Sequence, residues 1–353
     1  MTGRNTDVII GPHRIGGGAP AYVIAELGVN HNGDIGLARR LIEVAAACGA
    51  QAAKLQSFSA DRLVSPAARK AEYQKAGTGA DETQHAMLKS LELDEAAHRA
   101  LFAHAREVGI TLISTPFDEE SADLLGRLDA PAFKISSSDL THPALLRHIA
   151  AKGRPMLVST GMGTITEVGA AVEAIAAAGN PPLALLHCVS VYPADPADAN
   201  LHAMATMRRA FGVPVGWSDH TTVPAVAWAA VALGAEVLEK HLTLDKDMPG
   251  PDHRASADPV EFAAYMRGIR TVEAALGDGR KRMVAAEAPI AAVARRSVVA
   301  LAAIAAGQRI GPADIGALRP GHGIRPDRID LIIGRVAACA IPRGAVIDEA
   351  MLG

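Results

Sequence analysis

The chain has 353 residues, 49% of them hydrophobic but only 3% aromatic, with a formal net charge of −3 at pH 7. That length suits one large domain with a small companion, and an Ala/Val/Leu/Ile core suits many helices packed on a parallel sheet. Near-balanced, interspersed charge excludes the basic footprint of a nucleic-acid binder, and no run of about 18 uninterrupted apolar residues exists to cross a membrane.

The first residues, MTGRNTDVIIGPHRIGGG, show neither the apolar core nor the cleavage site of a signal peptide. Cys48, Cys188 and Cys339 lie far apart without CxxC spacing, and the first two sit in apolar runs. Buried free thiols in a reducing, cytoplasmic setting are the expectation.

From residue 20 onward a strand-then-helix unit recurs. The apolar runs are AYVIAEL (21–27), AAKLQS (52–57), TLISTP (111–116), AFKISS (132–137), PMLVSTG (155–161), LALLHC (183–188), VPVGWSD (213–219) and VLEKHLT (237–243). Continuous apolar character suits strands covered on both faces. Stretches such as DIGLARRLIEVAAACGA (34–50) and EESADLLGRLDA (119–130) carry helical spacing and stop at Gly or Ala-Pro. Strict alternation means a parallel sheet with right-handed crossovers, and eight units in about 230 residues match an α/β fold of the closed (β/α)8 TIM-barrel type. An open doubly wound sheet is the alternative, but no glycine-rich dinucleotide fingerprint follows the first strand.

Between the second and third runs, residues 59–90 have mixed charge and turn-like glycines, which predicts a long loop over the barrel mouth. The barrel domain is placed at 1–280 and a linker at 281–295. Residues 296–353, with the short β-like runs RSVVALAAI and GRVAACAI between turn signals, form a small, mostly β module.

In a barrel, catalytic groups gather where strands end. Those ends supply Glu26, Lys54, Gln56, Thr115, Lys134, Ser136, Ser137, Ser159, Thr160, His187, Ser218, Asp219, His220, Glu239, Lys240 and His241. A single histidine at a strand end is more often a hydrogen-bonded structural residue than a ligand. Two on adjacent strands, about 4.8 Å apart, change the balance, because neutral imidazoles at equal depth can share one borderline divalent ion. His220 and His241 therefore read as metal ligands in a substrate-coordinating Lewis-acid site. Lys54 and Lys134 could be rim lysines that snorkel. Beside Thr115, Ser137, Ser159 and Ser218, however, they suit a small phosphorylated anion. Glu26 suits either an ion pair with a lysine or an acid/base role.

Taken together and in order, AELGVNHNGD (25–34), KLQSF (54–58), STPFD (114–118), KISSSDLT (134–141), STGM (159–162), LHCVSVYP (186–193), SDHT (218–221), EKHLTLD (239–245) and GPDHRAS (250–256) resemble the sialic acid synthase family. That family includes N-acetylneuraminate synthase and the legionaminate and pseudaminate synthases. The resemblance runs from about residue 7 to the C-terminus, where RRSVVA, IAAGQ and RPGHGI are similar to the antifreeze-like (SAF) domain.

The resemblance implies a condensation of phosphoenolpyruvate with an N-acetylmannosamine-type aldose, assisted by Mn2+ or Mg2+ on His220 and His241. It implies that Lys54, Thr115, Lys134, Ser137, Ser159 and Ser218 hold phosphoenolpyruvate, with Ser190 standing where several relatives carry asparagine. Glu26, Gln56, Tyr192 and Asp252 would contact the sugar, and Arg319 would reach the partner's site in a domain-swapped homodimer. Lys54, Lys134 and Glu26 would be the catalytic set. QHAM (84–87) replaces a Tyr-Glu pair of relatives, while GPDHRAS resembles the neuraminate and legionaminate members more than the pseudaminate branch. A different carbohydrate synthase of the same chemistry, such as 3-deoxy-manno-octulosonate 8-phosphate synthase, acts on a phosphorylated sugar and lacks the C-terminal module, so residues 296–353 argue against it. Retention of both histidines, both lysines and Glu26 argues against a non-catalytic sugar-acid binder.

Overall fold

The computed structural model describes residues 8–71 and 83–353. Eight parallel strands close a barrel: β3 (Tyr22–Gly28), β4 (Ala52–Ser57), β5 (Thr111–Pro116), β6 (Phe133–Ile135), β7 (Met156–Ser159), β8 (Leu183–Cys188), β9 (Val215–Asp219) and β10 (Val237–His241). Going round, the order is β10-β3-β4-β5-β6-β7-β8-β9, so each strand neighbours its sequence successors and the ring closes between β3 and β10.

Period-two alternation sorts the side chains. Outward residues such as Val23, Leu55, Leu112, Phe133, Val158, Leu185, Trp217 and Leu238 join the main core beneath the helices. Inward residues form a second core of Tyr22, Ile24, Ala52, Ile113, Leu157, Ala184, Leu186 and Val237. Further along the same inward rows the character changes to Glu26, Lys54, Thr115, Lys134, Ser159, Ser218 and Glu239, all buried. Each strand thus passes from apolar to chemically active as it nears its C-terminal end. Gly216 occupies an inward row where a Cβ would stand 2.0 Å from the Val237 carbonyl oxygen, so only glycine lets β9 and β10 approach this closely.

A hairpin of β1 (Val8–Ile10) and β2 (His13–Ile15) precedes the barrel, and Val8, Ile10 and Ile15 pack into the inner core at the strand starts. This plug lies ahead of the first expected strand at residue 21, and its three-residue runs are too short to show a period.

The covering helices have caps legible in the sequence. Asp34 accepts from the Leu37 N–H at 3.0 Å to start α1 (Ile35–Ala47). Residues 59–90 are not a continuous loop: α2 (Ala60–Leu63) and α3 (Gln84–Ser90) occupy its ends, the second capped by the Thr83 hydroxyl, which accepts from the Ala86 N–H. Residues 72–82 of that expected loop lie outside the described residues. Downstream come α4 (Glu95–Val108), α5 (Glu119–Arg127), α6 (Pro143–Ala150), α7 (Ile165–Ala177), α8 (His202–Phe211), α9 (Pro224–Ala232) and α10 (Pro259–Leu276). Among the described residues no helix is long and apolar enough to cross a membrane.

The chain divides into two compact units, residues 1–277 and 278–353. The second contains α11 (Ala288–Ala294) and an antiparallel pair, β11 (Ser297–Ala300) with β12 (Ile315–Leu318). Its own core includes Val298, Ile304, Ile310, Ile341 and Ile347.

Candidate active site

A cavity of about 490 Å³ opens at the C-terminal ends of the barrel strands. Most residues singled out in the barrel line it: Glu26, Lys54, Gln56, Thr115, Lys134, Ser136, Ser137, Ser159, Ser190, Tyr192, Ser218, His220, Glu239, His241 and Asp252. Arg319 belongs to the second unit, where it follows β12 and is exposed.

Two lysines and two glutamates form the floor. Lys54 Nζ lies 2.8 Å from Glu26 Oε2 and 3.7 Å from Glu239 Oε2, and it donates to Thr115 Oγ1 at 2.8 Å. Lys134 Nζ lies 3.6 Å from Glu239 Oε1 and donates to Ser159 Oγ at 2.6 Å. Ser218 Oγ donates to Glu239 Oε1 at 3.0 Å, and Gln56 Nε2 to Glu26 Oε1 at 3.1 Å.

Burial sets the charges apart. It pushes Glu26 up to about 7, with Lys54 opposing and Glu239 adding to the rise. Burial would raise Glu239 as well, but Lys134 and Lys54 overcome it and hold this carboxyl down to about 2. Glu239 is therefore the permanent anion between two ammonium groups, while Glu26 titrates near neutrality. Asp252, buried beside them, is raised to about 6.

A hydroxyl corner adjoins Lys134. The Gly161 N–H donates to Ser137 Oγ at 3.0 Å, and Ser137 Oγ lies 3.1 Å from Cys188 Sγ. A Cβ on Gly161 would stand 2.3 Å from Ser190 Oγ and 2.9 Å from Ser137 Oγ, so glycine keeps this corner open. Small donors and buried ammonium groups are the complement of a phosphate or carboxylate.

Across the cavity the His220 and His241 ring centroids are 5.7 Å apart. The Tyr192 ring leans on His220 at 4.2 Å and meets His241 edge-on at 5.8 Å. His220 Nδ1 lies 2.7 Å from the Val189 carbonyl oxygen, so that nitrogen carries the proton and Nε2 keeps its lone pair. Burial lowers His220 to about 4 and His241 well below its ordinary value, which leaves both imidazoles neutral. His241 Nδ1 is buried without a hydrogen-bond partner. Two neutral imidazoles, one with an orphaned nitrogen, fit a divalent cation whose other positions stay open. Among the described residues no group of three or more His, Cys, Asp or Glu side chains is arranged to hold an ion.

Four other strand-end residues do not face the cavity. The His187 ring packs 5.2 Å from Trp217 with Nε2 at 2.9 Å from the Ala199 carbonyl oxygen. Thr160 donates to the Leu186 carbonyl. Asp219 and Lys240 pair at 3.4 Å behind the sheet. All four occupy or extend outward rows, and a shift of one residue moves a side chain to the other face. The same rule gives a role to Glu239, which the strand ends supply without one. Glu239 stands two residues before His241, shares its inward row, and is the hub of the floor network. Gln84 and Met87 of the QHAM segment also line the cavity.

Residues 41–281 match the NeuB family and residues 295–353 match the SAF domain. The chain is 43% identical over 336 residues, 94% of each chain, to the N,N'-diacetyllegionaminic acid synthase of Legionella pneumophila. It is 38% identical over 283 residues, 77% of this chain and 76% of the relative, to the N-acetylneuraminate-9-phosphate synthase of Mus musculus. Among solved structures, the N-acetylneuraminic acid (sialic acid) synthetase of Leptospira borgpetersenii superposes with a TM-score of 0.72 at 31% identity, covering 80% of this chain and 94% of that one. The closed barrel and the separate β module after it are thereby accounted for together: the chain belongs to the NeuB family of sialic acid synthases and carries a C-terminal SAF domain.

Proposed function

We propose that this enzyme condenses phosphoenolpyruvate with N-acetylmannosamine or a close analogue and water, giving a nine-carbon 2-keto acid such as N-acetylneuraminate, and phosphate. The observation that carries the reading is the opposition, within one cavity, of the Lys54/Lys134 floor to the His220/His241 pair. A legionaminate-type synthase, using a 2,4-diacetamido-trideoxymannose, is the second reading, favoured by the 43% identity over 94% of the Legionella relative.

Lys54, Lys134, Thr115, Ser137, Ser159, Ser190 and Ser218 would bind the carboxylate and phosphate of phosphoenolpyruvate and aim its C3 across the cavity. Glu26, Gln56, Tyr192 and Asp252 would hold the open-chain aldose. A divalent cation, Mn2+ or Mg2+, held by His220 and His241 would supply Lewis-acid polarisation of the aldehyde. C3 bonds to the aldehyde carbon, whose oxygen becomes a hydroxyl. Water adds at C2, its first proton passing through Glu26 to the new hydroxyl, and the C2–O bond to phosphate then breaks to leave the ketone, the remaining C2 hydroxyl proton departing with phosphate. Glu26 takes the proton released by water: Lys54 and Gln56 both present donors to it, an arrangement that complements the ionised carboxylate. The free thiols, two of them at least partly buried, support a reducing, cytoplasmic setting.

Because the ionised form acts, kcat/KM should rise as pH passes upward through about 7. Glu26→Gln should lose that limb and about 10²- to 10⁴-fold in rate. A profile unchanged by the substitution would remove Glu26 from the proton transfer. Arg319 is proposed to enter the partner's cavity in a domain-swapped homodimer. Arg319→Ala should raise KM for the aldose about tenfold or more while leaving KM for phosphoenolpyruvate and the far-UV circular dichroism unchanged. A fully active variant would reject the swapped arm.

The reading is tested by offering phosphoenolpyruvate with a panel of N-acylated mannose analogues and a divalent metal, following phosphate release and product mass. Stoichiometric phosphate and a nine-carbon keto acid are expected. Silence with every aldose would favour a binding protein instead.

A further inference from the structure

One wall of the cavity differs from the rest. Val29, Leu63, Val64, Met87, Leu88 and Phe117 line it with apolar side chains. All but Val64 pack with Phe58 and Leu91 into a satellite cluster separate from the main core, and Phe58 meets Phe117 edge-on at 6.1 Å. The wall is therefore built into the fold. Along α3 the cavity-facing residues are Gln84, Met87 and Leu88, the i, i+3, i+4 spacing of one helix face.

Its position matters more than its composition. In the ring of eight strands, β5 is the fourth from β9 in either direction, so Phe117, which follows β5, stands across the mouth from His220. Leu63 and Val64 follow β4, next to it. Between the histidines and the wall lie Glu26 on β3 and Gln56 on β4. An aldose whose aldehyde sits at the imidazoles passes these two polar groups first, and its far end meets the apolar wall.

Building on the synthase reading above, we infer that this wall selects aldoses whose far end bears methyl and acylamino groups in place of free hydroxyls, with Leu88 and Met87 as specificity-determining residues. A hydroxyl pressed against the wall gives up water without a partner, whereas a methyl group gains by leaving water. The amide of an acylamino group can pair with Gln84 while its methyl rests on Met87 and Leu88, one turn further along the same face. Discrimination of this kind is worth about 10- to 100-fold.

The test compares kcat/KM for 2,4-diacetamido-2,4,6-trideoxymannose with that for N-acetylmannosamine, metal supplied. The parent enzyme should favour the trideoxy sugar by about 10- to 100-fold. Leu88→Asn should shrink that ratio about tenfold, through a lower value for the trideoxy sugar, with KM for phosphoenolpyruvate unchanged. Leu88→Met, which conserves volume and polarity, should preserve the ratio. Equal or better use of N-acetylmannosamine by the parent, or a ratio untouched by Leu88→Asn, overturns the inference and leaves the synthase reading standing. No phosphate release with either sugar overturns both.

Discussion

Replacing His241 with alanine lowers the rate of phosphate release from phosphoenolpyruvate and aldose by about 10²- to 10³-fold, the loss that accompanies removal of a preorganised electrophilic contact. The protein remains folded, because His241 Nδ1 makes no hydrogen bond that the fold would miss. Its imidazole is neutral through burial and so is competent as a ligand without prior deprotonation. Manganese binding, followed by titration calorimetry or by the loss of the free-ion electron paramagnetic resonance signal, weakens in parallel with rate. An alanine variant that binds manganese as tightly as the parent would show that the imidazole does something else.

Glu239→Gln has the largest effect on stability. The carboxylate sits 3.7 Å from Lys54 and 3.6 Å from Lys134, both almost fully buried. Removing it leaves two ammonium groups short of a counter-charge, and breaking a buried pair in this way costs about 3–5 kcal/mol. The amide keeps the shape and can still accept from Ser218, so the loss reports charge and not volume. An anion that enters the floor then substitutes for the missing carboxylate. Inorganic phosphate should consequently stabilise Glu239→Gln more than it stabilises the parent, by mass action on the folded state. Urea midpoints with and without phosphate check both statements. Equal stability of variant and parent, or equal stabilisation by phosphate, would remove Glu239 from the centre of the charge network.

The barrel was legible because its strands are covered on both faces and read as unbroken apolar runs, and because Asp34 and other caps mark where helices begin. The hairpin at Val8–Ile15 was not, since runs of three residues carry no period, yet it fills the inner core. Most of the cavity lining was visible as chemistry at strand ends. What the strand ends alone did not supply was direction. His187, Asp219 and Lys240 look as reactive as their neighbours, but each sits one residue off the inward row and satisfies itself behind the sheet. Glu239, named among the strand ends but given no role, carried the opposite signal: an inward position two residues before His241, from which alternation assigns it to the floor. The apolar wall was hidden for another reason: it is assembled from β3–α1, β4–α2, α3 and β5–α5 segments that are adjacent only once the ring has closed.

A cation shared by two imidazoles opposite a lysine-lined anion site is the centre of the proposed chemistry. Crystals grown with manganese and phosphoenolpyruvate, measured across the manganese absorption edge, address it without recourse to turnover. The predicted result is one anomalous peak bonded to both His220 and His241, with the phosphate against Lys134 and Ser137. A manganese site elsewhere, or imidazoles free of metal while phosphoenolpyruvate fills the cavity, would contradict it.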